Sequence, residues 1–329
     1  MSDRQRPALL IGRAEVARLL TLAECMAAIE AAFASEAAGG ILGPAVLGIN
    51  APGGGLHVKA AGLVGPHSYF AAKVNANFPG NPQTNGLPAI QGAVVLCDAV
   101  DGRLLAIIDS AEVTALRTAA TSAVAAKYLA RSDSRVLTIC GCGTQGRRHL
   151  EAIAPLFGLT TVLAFDARAE AAERLAGDSS ALNVQPTRDL AAAVRRSDIC
   201  VTCTPSRRPL IGPADVSPGL FLAAVGADNP DKQELDPRVL AGATVVADLV
   251  AQGVEMGELH HAVATGVMRP EDVHAELGEV VTGRKRGRRS AKEIIIFDST
   301  GTALQDVAAA AHVYERAVAA GAGQPFVLG

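Results

Sequence analysis

"RVLTICGCGTQGRRHL", residues 135–150, runs from an apolar stretch through a glycine-rich turn into a helical pattern. Cys140 and Cys142 suggest a metal knuckle, whereas Gly141, Gly143 and Gly146 suggest a phosphate cradle. Context separates the two. "RVLTIC" predicts a strand, the G-x-G-x-x-G turn follows at once, and a helix opens behind it. In that setting Gly141 permits the tight turn and Gly143 lets the backbone approach a pyrophosphate. Gly146 lets the helix lie close to the strand. The new helix N-terminus offers unsatisfied N–H groups to phosphate.

One strand further on, "TVLAFDAR" (161–168) ends its apolar run at Asp166, 20 residues after Gly146. A carboxylate there accepts hydrogen bonds from ribose hydroxyls and repels a 2′-phosphate, which favours NAD. Arg168 keeps NADP open, since it could pair with that phosphate. The cysteines fit a metal poorly. Cys200 and Cys203 lie three apart on a predicted strand and so point to opposite faces. Cys140, Cys142 and the other cysteines read as small buried apolar residues. His57, His260 and His261 show no third ligand, and no metal is expected.

Outward from this turn, short apolar runs recur at 136–140, 161–165, 199–203, 220–225, 243–247 and 293–297, mostly separated by helical stretches. That is the rhythm of βαβ units on a parallel sheet. Upstream, the pattern predicts a helix over 15–38 and extended pieces over 41–58 broken by "NAPGGG". A short strand over 69–75 precedes a loop. "GAVVLCDAVDGRLLAIIDS" predicts a hairpin turning at Asp101-Gly102, and a helix over 111–131 follows. A last helix covers about 303–320. The expected fold class is α/β: a Rossmann doubly wound parallel sheet over 118–302, plus a smaller α/β domain from 1–117 and 303–329.

Composition agrees. The 329 residues suit two domains, and 49% hydrophobic residues with 3% aromatics and no tryptophan imply a core of Ala, Val, Leu and Ile. A net charge of −3 gives no bulk attraction to nucleic acid. The basic run Arg284-Lys285-Arg286-Gly287-Arg288-Arg289 reads as a solvated loop face. No apolar stretch is long enough to span a membrane, and the first residues carry no leader pattern, so a cytoplasmic protein with reduced cysteines is expected.

Four stretches, "FAAKVNANFPGNP", "TALRTAATSAVAAKYLA", "VGADNPDKQEL" and "IIIFDSTGTALQD", together resemble the ornithine cyclodeaminase/mu-crystallin family over nearly the whole chain. The resemblance implies a Rossmann domain joined to a substrate-binding domain whose sheet pairs with a second copy, hence a homodimer. It also implies an NAD(P)-dependent reaction at the Cα–N bond of a small amino or imino acid. The family's active-site lysine falls on Lys73, its carboxylate-binding arginine on Arg117, and its acid after the fifth Rossmann strand on Asp228. Two positions depart. An arginine that many members carry early in the chain falls on Val46, and a hydroxyl residue falls on Ala89. Lys59 stands where other members carry methionine and is expected to replace the lost cation. The cofactor set is Gly141, Gly143, Thr144, Gln145, Gly146, Asp166, Arg168, Thr204 and Ser299. Dehydrogenase or imine reductase is favoured over a cyclodeaminase, because Val46 and Ala89 weaken the grip on substrate. A ligand-binding protein without catalysis is the other alternative.

Overall fold

The computed structural model describes residues 7–327; residues 1–6, part of the stretch read for a leader, and residues 328–329 lie outside the described residues. The chain divides into two units, one running to Arg117 and resuming at Thr302, the other spanning Thr118–Gly301.

The first unit opens with β1 (Ala8–Ile11), α1 (Arg13–Leu19) and α2 (Leu22–Ala37). A single helix was expected over 15–38. Thr21 divides it: the Glu24 N–H donates to the Thr21 hydroxyl, and the Thr21 N–H donates to the Glu24 carboxylate. That reciprocal cap ends one helix and starts the next. The extended pieces expected over 41–58 are two long strands, β2 (Ile41–Ala51) and β3 (Gly54–Leu63), closed at residues 52–53 with Gly53 at φ +82. β4 (Tyr69–Asn77) follows. β5 (Ile90–Asp98) and β6 (Leu104–Asp109) form the expected hairpin, with Gly102 at φ +76. The sheet order is Gln324–Phe326, β1, β6, β5, β4, β3, β2, which leaves β2 as an edge. The C-terminal helix, Ala303–Ala320, covers one face of β3, β4 and β5 and also packs on α2. Its alanines allow that close approach.

α3 (Ser110–Leu129) leaves β6 directly and carries the chain into the second unit. There β7 (Val136–Cys140), β8 (Thr161–Phe165), β9 (Val184–Pro186), β10 (Ile199–Thr202), β12 (Phe221–Ala224), β14 (Thr244–Ala247), β15 (Ala275–Glu276) and β16 (Ile295–Asp298) form one parallel sheet. Their order is β9-β8-β7-β10-β12-β16-β14-β15. β11 (Arg207–Ile211) and β13 (Gln233–Leu235) pair separately. The main strands are apolar because helices cover both faces of a parallel sheet. Strand order reverses at β7, the topological switch point where such sheets bind ligands. The glycine turn follows β7, and α4 (Thr144–Ile153) follows the turn.

Two local readings change, at Cys203 and at the basic run. Cys203 lies just beyond β10, not within it. Arg117 sits in the third turn of α3, and Lys73 in the middle of β4. The basic run is only partly a solvated face. Arg288 donates to the carbonyls of Leu129, Leu220 and Glu293, and Arg289 pairs with Glu293 at 2.7 Å. Among the described residues, no helix is long and apolar enough to cross a membrane.

Candidate functional site

The glycine turn is tight at Gly141 and Gly146 and open at Gly143. Gly141 is at φ +101, and a Cβ there would lie 2.9 Å from the Cys203 carbonyl oxygen. At Gly146 a Cβ would lie 2.0 Å from the Gly141 oxygen, so the first turn of α4 rests against the strand end. At Gly143, the N-cap of α4, a Cβ would meet nothing within 4 Å, and no side chain caps the helix. The space beside Gly143 and the uncapped N–H groups fit a pyrophosphate. Thr144 is exposed and Gln145 half-buried at this turn.

Asp166 is anchored by two main-chain donors, Cys142 N–H and Arg168 N–H, each at 2.9 Å. The Arg168 guanidinium stands 3.9 Å from Asp166 and is mostly exposed. His149 is buried on α4. Its Nδ1 lies 2.8 Å from the Gln145 carbonyl, which can only accept, so Nε2 accepts from the Ser122 hydroxyl at 3.0 Å. Burial pushes its pKa down to about 4, so the neutral ring joins α3 to α4.

Thr204 follows β10, and its N–H donates to Glu234. Ser299 is buried after β16, with its hydroxyl 3.4 Å from Asp248. Asp228 lies beyond β12, half-exposed and paired with Lys232 at 2.7 Å. Among the described residues no group of three or more His, Cys, Asp or Glu side chains could hold a metal ion. His260 and His261 turn ring nitrogens to the Val254 and Lys232 carbonyls. All six cysteines are free thiols.

The first unit holds a second cluster. Lys73 and Lys59 are direct cross-strand partners, and so are Lys59 and Val46. The three therefore share one face of the sheet. Both lysines and Arg117 are buried. Lys73 Nζ lies 2.8 Å from each carboxylate oxygen of Asp306, and Arg117 Nε lies 3.1 Å from the same group. Arg117 also donates to the Gln305 side chain at 2.6 Å. Burial pushes the Lys73 pKa down, Arg117 and Lys59 push further, and Asp306 resists; the result is about 7. Burial alone would raise Asp306, but Lys73 and Arg117 outweigh it and hold the carboxyl below its ordinary value.

Asp306 and Gln305 were not among the expected site residues. The signal was present. "TALQD" places one acid in the first turn of a helix whose other buried residues are uncharged, mostly alanine and valine. An acid in such a helix needs a cation, and both are supplied by other elements of the same unit. The surroundings of Asp306 hold more positive than negative charge, which suits a bound carboxylate.

A dinucleotide-binding α/β unit joined to a unit with a buried lysine–arginine–aspartate cluster defines an oxidoreductase-like architecture. Residues 8–321 match the ornithine cyclodeaminase/mu-crystallin family, and the chain belongs to it. It is 40% identical over 315 residues to an alanine dehydrogenase of Archaeoglobus fulgidus, covering 96% of this chain and 97% of that relative. Among solved structures, an archaeal alanine dehydrogenase dimer with bound NAD superposes with a TM-score of 0.93 at 39% identity, covering 98% and 99% of the two chains. The Δ1-pyrroline-2-carboxylate reductase of Thermococcus litoralis, solved with NADH and L-proline, gives 0.92 at 28% identity, covering 97% and 100%.

Proposed function

We propose that the protein is an NAD-dependent oxidoreductase acting at the Cα–N bond of a small amino or imino acid. The observation that carries this reading is the buried Lys73–Asp306–Arg117 cluster. A buried lysine with a pKa of about 7 is matched to proton transfer at neutral pH. NAD supplies the hydride acceptor, or in reduced form the donor. Arg117 offers a guanidinium to the substrate carboxylate, and Lys59, on the same face, adds a second cation. Lys73 in its neutral form takes the proton from the substrate ammonium, and in its charged form returns one to the imine nitrogen. Asp306 holds Lys73 in line for both. Asp228 serves as a second acid after release from Lys232, orienting a substrate nitrogen or a water. Gly141, Gly143, Thr144, Gln145 and Gly146 hold the pyrophosphate. Asp166 receives the ribose, and its two main-chain anchors favour NAD over NADP. Thr204 and Ser299 are the weaker members of this set, since each already has an internal partner.

The opposite face of the first unit's sheet supports a homodimer. Leu42, Leu47, Ile49, Leu56, Phe70 and Val74 are all exposed there. A contiguous apolar patch of that kind marks an interface, and the archaeal alanine dehydrogenase similar to this chain is a dimer. Six free thiols fit the reducing cytoplasm.

Following NADH absorbance with pyruvate plus ammonia, and with cyclic imines, tests the reading. Net oxidation of NADH is expected with at least one of them. Conversion of ornithine to proline with no net change in NADH would replace it with a cyclodeaminase.

A further inference from the structure

The second unit buries four carboxylates that the reaction just described does not use, and they form a connected series. Glu234, on β13, accepts the Thr204 N–H at 2.6 Å on one oxygen and the Gly226 N–H at 2.9 Å on the other. Thr204 belongs to the loop after β10. Gly226 belongs to the loop after β12, two residues before Asp228, whose N–H donates back to the Gly226 carbonyl at 3.1 Å. One carboxylate thus joins two neighbouring loops at the carboxyl ends of the parallel strands.

Glu234 is itself held. Glu258 accepts the N–H groups of Glu234 and Leu235 at 2.7 and 3.1 Å. Asp298 accepts those of Glu258 and Leu259 at 3.2 and 2.8 Å. Asp248 accepts the Gly301 N–H and the Thr300 hydroxyl. Two glycines make room. A Cβ at Gly226 would lie 2.3 Å from the Thr204 oxygen and 2.5 Å from Glu234 Cδ. A Cβ at Gly257 (φ +90) would lie 3.0 Å from both Asp298 oxygens. Burial pushes the carboxyls of Glu234 and Glu258 up, and Asp298 to about 7. A sequence that needed only to fill this core would use apolar residues, since burying acids is unfavourable unless each is fully bonded.

We propose that Glu234 is a positioning residue for the reaction: its carboxylate sets the loop of Thr204 against the loop of Asp228, and Glu258 and Asp298 hold it there. The proposal rests on the oxidoreductase reading only through Asp228. The junction itself concerns the dinucleotide-binding unit.

Glu234→Gln keeps the size but turns one acceptor into an NH₂ facing a main-chain N–H. Losing one such bond to a charged acceptor should weaken NADH binding, followed by its fluorescence, about tenfold. Amide exchange at Thr204 and Gly226 should quicken while the β7 amides stay protected. Turnover should also fall, and in an Asp228→Asn background the same change should cost less than about twofold more, because coupled sites are non-additive. If Glu234→Gln fails to fold, Gly226→Ala presses on the same junction from the loop side and should give the same pattern. Unchanged NADH affinity and unchanged exchange at both amides, or turnover losses that multiply in full in the double variant, would overturn the proposal. A wild-type protein that turns over no amino or imino acid would defeat the oxidoreductase reading alone. The affinity and exchange measurements would still decide Glu234.

Discussion

Both units bury carboxylates, and they satisfy them in different ways. In the first unit Asp306 meets the side-chain cations of Lys73 and Arg117. In the second, Glu234, Glu258 and Asp298 meet main-chain N–H groups. A lysine can give up its proton, and its neighbours tune when it does so. A peptide N–H cannot, so the main-chain donors around these acids fix where the carboxyls and the loops they join lie. The first arrangement is equipped to move a proton, the second to hold loops in register.

The contrast breaks most visibly at Asp306. Asp306→Ala leaves Lys73 and Arg117 buried without their shared carboxylate, and loss of one member of a buried ion pair is expected to destabilise by about 3–5 kcal/mol. Urea unfolding measures it. A change below about 1 kcal/mol would mean that the cluster is wet or rearranges, and the proton-handling reading would lose its basis.

Lys73→Met removes the proton carrier and leaves Asp306 its contact with Arg117. The kcat/KM for the amino acid should fall about a hundred- to ten-thousandfold, the usual worth of a general acid–base group. The pH profile gives the sign. With a folded-state pKa of about 7, neutral Lys73 grows as pH rises, so amino-acid oxidation should speed up through pH 7. Imine reduction needs the charged form and should slow over the same range. Both limbs should vanish in Lys73→Met. A profile without a limb near neutrality in the wild type would contradict the assignment.

The glycine turn allows a finer comparison inside one motif. Gly146→Ala sets a methyl 2.0 Å from the Gly141 oxygen, whereas Gly143→Ala points a methyl into open space. The first should lower both thermal stability and NADH affinity. The second should leave the melting temperature within a few degrees and weaken NADH alone. Equal effects on NADH with equal losses of stability would show that Gly143 serves the fold and not the ligand.

The two clusters also differed in how legible they were. The cradle was readable because strand, turn, helix and acid follow within one stretch, so local spacing carries the geometry. Lys73 and Arg117 were readable only through resemblance, and Asp306 escaped, because its partners Lys73 and Arg117 lie 233 and 189 residues away in sequence (306 − 73 and 306 − 117). The Glu234 junction escaped for a related reason. Its partners are main-chain groups, which every residue has, so no side-chain pattern announces them. The divided helix at Thr21 was locally visible as T-x-x-E and was overridden by the apolar periodicity around it. Long-range charge pairing and main-chain ligation are the two things that spacing does not record.

Lys59 offers the smallest and most discriminating test, because it is one further charge acting on both Lys73 and Asp306. Its register with both Val46 and Lys73 places a cation beside Val46, the position where the family resemblance leads one to expect an arginine. If it replaces that arginine, Lys59→Met should raise the KM for the acid substrate about tenfold, the worth of one charge-assisted hydrogen bond, with kcat little changed. It should do something else that a purely structural lysine would not. Lys59 is one of the charges that lower Lys73, so its removal lets the Lys73 pKa rise, and the pH limb should move upward by roughly a few tenths of a unit. Adding Val46→Arg to Lys59→Met should restore KM and draw the limb back down, since the new cation faces the same row. A KM that stays high in the double variant would mean that Val46 and Lys59 are independent substitutions.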